Sequence, residues 1–165
     1  MATYSLPTGH QYLEARVNWS YTQNISANTS TVTAYVEARR TSSYMTTMDG
    51  YSPKLTFWID GQERIQYANY NFANYAVNTW FSIGSAVSAT VGHNNDGTKS
   101  LNIATLYDTT VSNLGNLSKV QSVSLATIPR ASVATGGWNW NAGSDTTVSI
   151  ERKSTDYHHT VFFDV

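Results

Sequence analysis

Apolar and polar residues alternate along most of this chain with a period of two. The run Thr31-Val32-Thr33-Ala34-Tyr35-Val36-Glu37-Ala38-Arg39 carries the pattern most clearly. Successive side chains of an extended backbone point to opposite faces, so the pattern fits a sheet with one dry and one wet face. A first strand places Ala15, Val17, Trp19 and Tyr21 together, and the polar run Thr22 to Ser30 reads as the loop after it. A second, from about Thr31 to Arg40, buries Val32, Ala34, Val36 and Ala38. In Lys54 to Asp60, Leu55, Phe57 and Ile59 set the inward phase and leave Trp58 outward. Asp60-Gly61 is a hairpin turn into Arg64 to Phe72. Trp80 to Val91 then buries Phe81, Ile83, Val87, Ala89 and Val91.

The strongest turn is His93-Asn94-Asn95-Asp96-Gly97-Thr98-Lys99, which leads to Leu101 and Ile103 on a returning strand. A strand from about Val120 to Ile128 turns Val123 and Leu125 inward. No window sustains a helical period, so any helix is short and falls near Asn69 to Asn78. Strands and turns at this spacing predict an all-β chain, an antiparallel β-sandwich of jelly-roll-like type, over residues 1–130. Pro129 cannot donate to a ladder and marks the boundary. Residues 131–165 are expected to begin a second small β module, with strands at Thr147 to Arg152 and Tyr157 to Val165. A lone hairpin is marginal in water, so these residues are expected either to dock on the first domain or, the favoured reading, to begin a module that is cut short.

Charged residues make up only 13% of the chain, about half the usual share, so solubility rests on hydroxyls and amides. With 11 Tyr and 5 Trp, the vocabulary is that of binding loops, and also that of any twisted antiparallel sheet. The net charge of −1 and the scattered basic residues exclude a nucleic-acid partner. There is no cysteine, hence no disulfide and no thiolate metal site. Met1 to Pro7 lacks the basic start and apolar run of a signal peptide, which predicts synthesis in a cytoplasm without secretion. No apolar run is long enough for membrane insertion.

The turn His93 to Lys99, continued by Ser100-Leu101-Asn102-Ile103, stands upstream of Leu125-Ala126-Thr127-Ile128-Pro129-Arg130-Ala131-Ser132. Together they resemble the minor structural and tail-associated, receptor-binding proteins of siphophages that infect Gram-positive bacteria, streptococcal phages in particular. The likeness runs from about Arg16 onward. It implies a β-sandwich in a virion tail, exposed to the host surface, made in the host cytoplasm. It supplies no catalytic residues.

No enzyme is expected. Glycan hydrolysis needs two carboxylates roughly 5–9.5 Å apart. Of Glu37, Asp60 and Glu63, Glu37 falls on a wet strand face and Glu63 beside a hairpin turn. His10, His93, His158 and His159 lack metal-ligand spacing; Asp96 beside Asn94 and Asn95 could hold calcium, but the same residues are what a tight turn selects. No cofactor or metal is expected.

The aromatics carry the functional expectation. Burying an aromatic removes roughly 150–250 Å² from water, so an outward Trp58 is expected to cover something. A loop or a sister subunit would serve, and so would a sugar ring stacked on the indole. Tyr44, Tyr51, Tyr70, Tyr75 and Trp80 lie in loops or at unsettled phases and would complete a saccharide platform. The expected partners are a host cell-wall or capsular polysaccharide and other tail subunits. Two alternatives stand beside this: a structural spacer or assembly domain of a tail protein, and the carbohydrate-binding appendage of a cell-wall hydrolase.

Overall fold

The alternating runs form antiparallel strands whose apolar phases meet in one core. The computed structural model describes residues 1–45, 53–68, 70–111, 113–130, 133–135 and 149–151. In chain order the strands are β1 (Ala2–Leu6), β2 (Leu13–Asn24), β3 (Thr29–Arg40), β4 (Lys54–Ile59), β5 (Gln62–Tyr67), β6 (Phe81–Gly92), β7 (Lys99–Asp108), β8 (Asn116–Leu125), β9 (Val133–Thr135) and β10 (Ser149–Glu151). The first eight make two four-stranded sheets, ordered β1-β2-β3-β6 and β5-β4-β7-β8. The chain is an antiparallel β-sandwich, as its alternation predicts. Val17, Val32, Ala34 and Val36 from one sheet meet Leu55, Phe57, Ile59 and Ile103 from the other, all fully buried. No described helix is long and apolar enough to cross a membrane.

Several boundaries differ from the sequence reading. β1 is unforeseen: its two inward side chains, Tyr4 and Leu6, are too few to display a period. The expected loop Thr22 to Ser30 shrinks to residues 25–28, because β2 and β3 stay paired out to Asn24 and Thr29. β8 starts earlier than expected, with Leu117 buried and Val120 on the outer face. The one helical turn among the described residues is a 3-10 turn, Phe72–Asn74, capped by the Asn71 side chain accepting from the Ala73 amide at 2.9 Å.

β6 carries a bulge opposite Ala34 to Val36, where Gly84 takes a φ of +70°. The Gln66 amide clamps Ser85 in both directions, donating to its carbonyl and accepting from its N–H at 2.8 Å each. Gln62 donates to the Thr90 carbonyl at 2.7 Å and Arg64 to that of Ser88 at 3.1 Å. Alternate β5 side chains thus bond the backbone of edge strand β6 and blunt it against pairing with another chain.

Antiparallel order gives the sandwich two ends. The connections β2–β3, β4–β5 and β6–β7 make a turn end; those after β1, β3, β5 and β7 make a loop end. At the turn end, Nδ1 of His93 bonds the Gly97 carbonyl and its Nε2 the buried Ser30 hydroxyl, each at 2.7 Å. Asn28 donates to the carbonyls of His93 and Asn94 at 3.1 and 3.0 Å. Asp96 accepts from the Thr98 hydroxyl and amide, which hold its carboxyl below the usual range. Asp96 is therefore a turn residue, and no group of acidic or histidine side chains able to hold a metal occurs among the described residues.

Beyond the sandwich, β9 and β10 pair antiparallel. The expected strand Tyr157 to Val165, together with His158 and His159, lies outside the described residues.

Candidate functional site

Between β5 and β6 the chain folds its aromatics back over Phe81, the first inward residue of β6. Tyr75 stacks on that ring at 3.7 Å between centroids, and Phe72 meets it edge-on at 5.2 Å. Tyr70 lies 5.8 Å away. Its hydroxyl accepts a hydrogen bond from the Gly84 amide, and burial pushes its pKa up. Tyr70 and Tyr75 therefore pack against the core.

With Phe81 inward, strand phase turns Trp80 out over the first sheet. There β2 and β3 place Arg16 opposite Glu37 and Glu14 opposite Arg39. The Arg16 and Arg39 guanidiniums lie 4.1 and 4.8 Å from the Trp80 ring, a cation–π contact on each. Each arginine has its own carboxylate: Arg16 reaches Glu37 and Arg39 reaches Glu14, both at 2.7 Å. Asn18 donates to the same Glu37 oxygen at 2.8 Å and accepts from the Thr3 hydroxyl at 2.8 Å. The indole is thus held by a continuous network across three strands.

Beside it runs an open groove of about 370 Å³, lined among others by Thr3, Ser5, Thr8, Glu14, Arg16 and Trp80. An aromatic ring, hydroxyls and a carboxylate line one open surface. Groups of that kind recognise a polyhydroxylated ring, by stacking on its C–H face and bonding its hydroxyls.

Tyr44 belongs to the same loop end. Its ring lies 6.0 Å from Tyr12, and it is 82% exposed. The loops interlock there: the Asn78 amide donates to the Arg40 carbonyl at 2.8 Å, and Thr41 to that of Tyr12 at 2.9 Å.

Of the expected site residues, the fold gathers Tyr44, Tyr70, Tyr75 and Trp80 at the loop end, with Trp80 and Tyr44 turned outward. Trp58 sits apart. It occupies the outer face of the second sheet, partly exposed, between Glu63 and Ala104 on the neighbouring strands. Tyr51 lies outside the described residues. The sequence reading did not identify Arg16, Arg39, Glu14 or Thr3 as site groups, and it weighed Glu37 only as a catalytic carboxylate. A usable signal was present: Glu14-x-Arg16 and Glu37-x-Arg39 become two cross-strand ion pairs when their strands run antiparallel.

A family model described as "Siphovirus protein of unknown function (DUF859)" matches residues 13–165. No curated protein and no solved structure matches the chain. The match takes in nearly the whole sequence, and the chain belongs to this siphovirus family.

Proposed function

We propose that this siphovirus protein is a non-enzymatic module of the virion tail that recognises a saccharide of the host cell surface through the groove beside Trp80. The observation that carries this reading is the groove itself: an indole fixed on two guanidiniums, next to strand hydroxyls and an acidic side chain. Tyr44, exposed at the same end, extends the surface. Trp58, set on the opposite sheet, is not part of it.

The test is binding of the labelled protein to intact host cells and to polysaccharide extracted from their surface. Trp80→Ala is expected to abolish binding while Trp58→Ala leaves it unchanged. A folded wild-type protein that binds neither would overturn the proposal, as would binding indifferent to Trp80→Ala.

A second reading, assembly against other tail subunits, is favoured by the outer face of the second sheet. Ile65, Tyr67 and Val120 are 45, 69 and 64% exposed there, beside Trp58. Apolar groups grouped on one sheet face mark an interaction surface. Light scattering over a range of concentrations tests it, with self-association weakened by Tyr67→Ser expected and a strict monomer the contrary result.

A further inference from the structure

The charges around Trp80 narrow the class of ligand. We infer that the groove selects an uncharged saccharide and discriminates against phosphodiester or uronic-acid polymers; this rests on the saccharide reading above.

The two cations nearest the indole are compensated before any ligand arrives. Arg16 directs both Nε and Nη2 to Oε2 of Glu37 at 2.7 Å, and Arg39 directs Nε to Oε2 of Glu14 at 2.7 Å. Two guanidiniums and two carboxylates sum to zero charge. An anionic ligand entering here would meet the repulsion of both carboxylates, and would find only the guanidinium donors that Glu37 and Glu14 leave over. A neutral polyol meets no such repulsion.

It also finds acceptors and donors. Glu14 commits Oε2 to Arg39 and retains Oε1 as an acceptor at the groove it lines. The Ser5 hydroxyl and the Trp80 indole stand on the same lining. Acceptor, hydroxyl and aromatic surface are what a hexose ring with vicinal hydroxyls requires, and none of them depends on net charge.

The experiment titrates the full chain with two sets of probes. One holds neutral oligosaccharides of glucose, galactose, rhamnose or N-acetylhexosamine; the other holds poly(glycerol phosphate) and hyaluronan fragments. A neutral probe is expected to bind with an affinity that changes less than about twofold as salt rises from about 0.01 to 1 M, a range that shortens the screening length from about 30 to 3 Å. Trp80→Ala is expected to weaken that binding by at least about tenfold. Glu14→Gln, which breaks an exposed pair with little demand on folding, is expected to increase the affinity for poly(glycerol phosphate).

Trp80-dependent binding of an anionic probe by the wild type, falling steeply with salt, would overturn the inference and leave the saccharide reading standing. No binding of either set by the folded protein would overturn both. Neutral binding that survives Trp80→Ala would move the site elsewhere and overturn both for this groove.

Discussion

The two ends of the sandwich are made from similar polar vocabularies and use them differently. At the turn end, His93, Asn28, Asp96 and Thr98 bond to one another and to backbone within the turns. Lys99 completes the arrangement with an ion pair to Asp60 at 2.6 Å. At the loop end, the charged groups near Trp80 hold an indole on the outside of a sheet, beside a groove. The residue types that suggest chemistry are denser in the turn motif, yet their hydrogen bonds go to keeping the turn closed, and the one oxygen of Asn28 left without a partner is buried there. What separates the candidate site from the scaffold is polar and aromatic groups that line an open groove.

Glycine substitutions break this contrast most sharply. Gly97 and Gly115 both adopt left-handed backbone, with φ of +84° and +61°. A Cβ on Gly97 at the turn end would meet the Ile128 carbonyl oxygen at 1.9 Å, whereas on Gly115 at the loop end it would meet nothing within 4 Å. Gly97→Ala is expected to cost about 3 kcal/mol or more, because the overlap is with backbone. Gly115→Ala should cost only the left-handed penalty, about 1–2 kcal/mol. Urea unfolding of the two variants checks the difference.

Alkaline pH is expected to act next. Burial pushes the Tyr107 hydroxyl well above the ordinary phenol range and raises Tyr70 as well. Both rings lie toward the loop end, where the Tyr107 hydroxyl donates to the Ala68 carbonyl at 3.3 Å. A pKa raised by folding means stability that is present below the unfolded value and lost as pH climbs past it. The loss should begin near pH 10, at up to about 1.4 kcal/mol per pH unit for each such group. Amide exchange as pH is raised should open the loop end first, since the His93 ring bonds the Ser30 hydroxyl and the Gly97 carbonyl, neither of which is a phenol. A turn end that opens first would contradict this.

Asn28→Ala removes two hydrogen bonds from the turn end and strains a residue at φ +53°. About 1–3 kcal/mol should be lost, and saccharide binding should be untouched. Trp80→Ala is the converse and has the smallest effect on stability. It removes contacts worth about 0.5–1 kcal/mol each at a partly exposed site, while binding falls. Thermal unfolding paired with titration distinguishes the two variants.

The strands were legible wherever alternation ran for several residues, as in β2, β3, β4 and β7. β1 was too short to show a period. The β6 bulge was hidden for a different reason: Phe81, Ile83, Val87, Ala89 and Val91 keep one parity across it, because four steps on β6 pass two on β3. At the site, phase put Trp58 outward, and outward it lies. Phase could not say which aromatics share a surface, since that depends on loops meeting at one end of the sandwich. The partners of Trp80 were missed because charged side chains on a wet strand face have no period of their own; only the β2–β3 register brings them under the ring.

The most direct test is to follow the indole N–H resonances of Trp80, Trp58 and Trp19 by NMR during titration with a neutral oligosaccharide that the protein binds. The account predicts that the Trp80 signal moves with saturation while those of Trp58 and Trp19 stay in place. Movement confined to Trp58, with Trp80 silent, would contradict it.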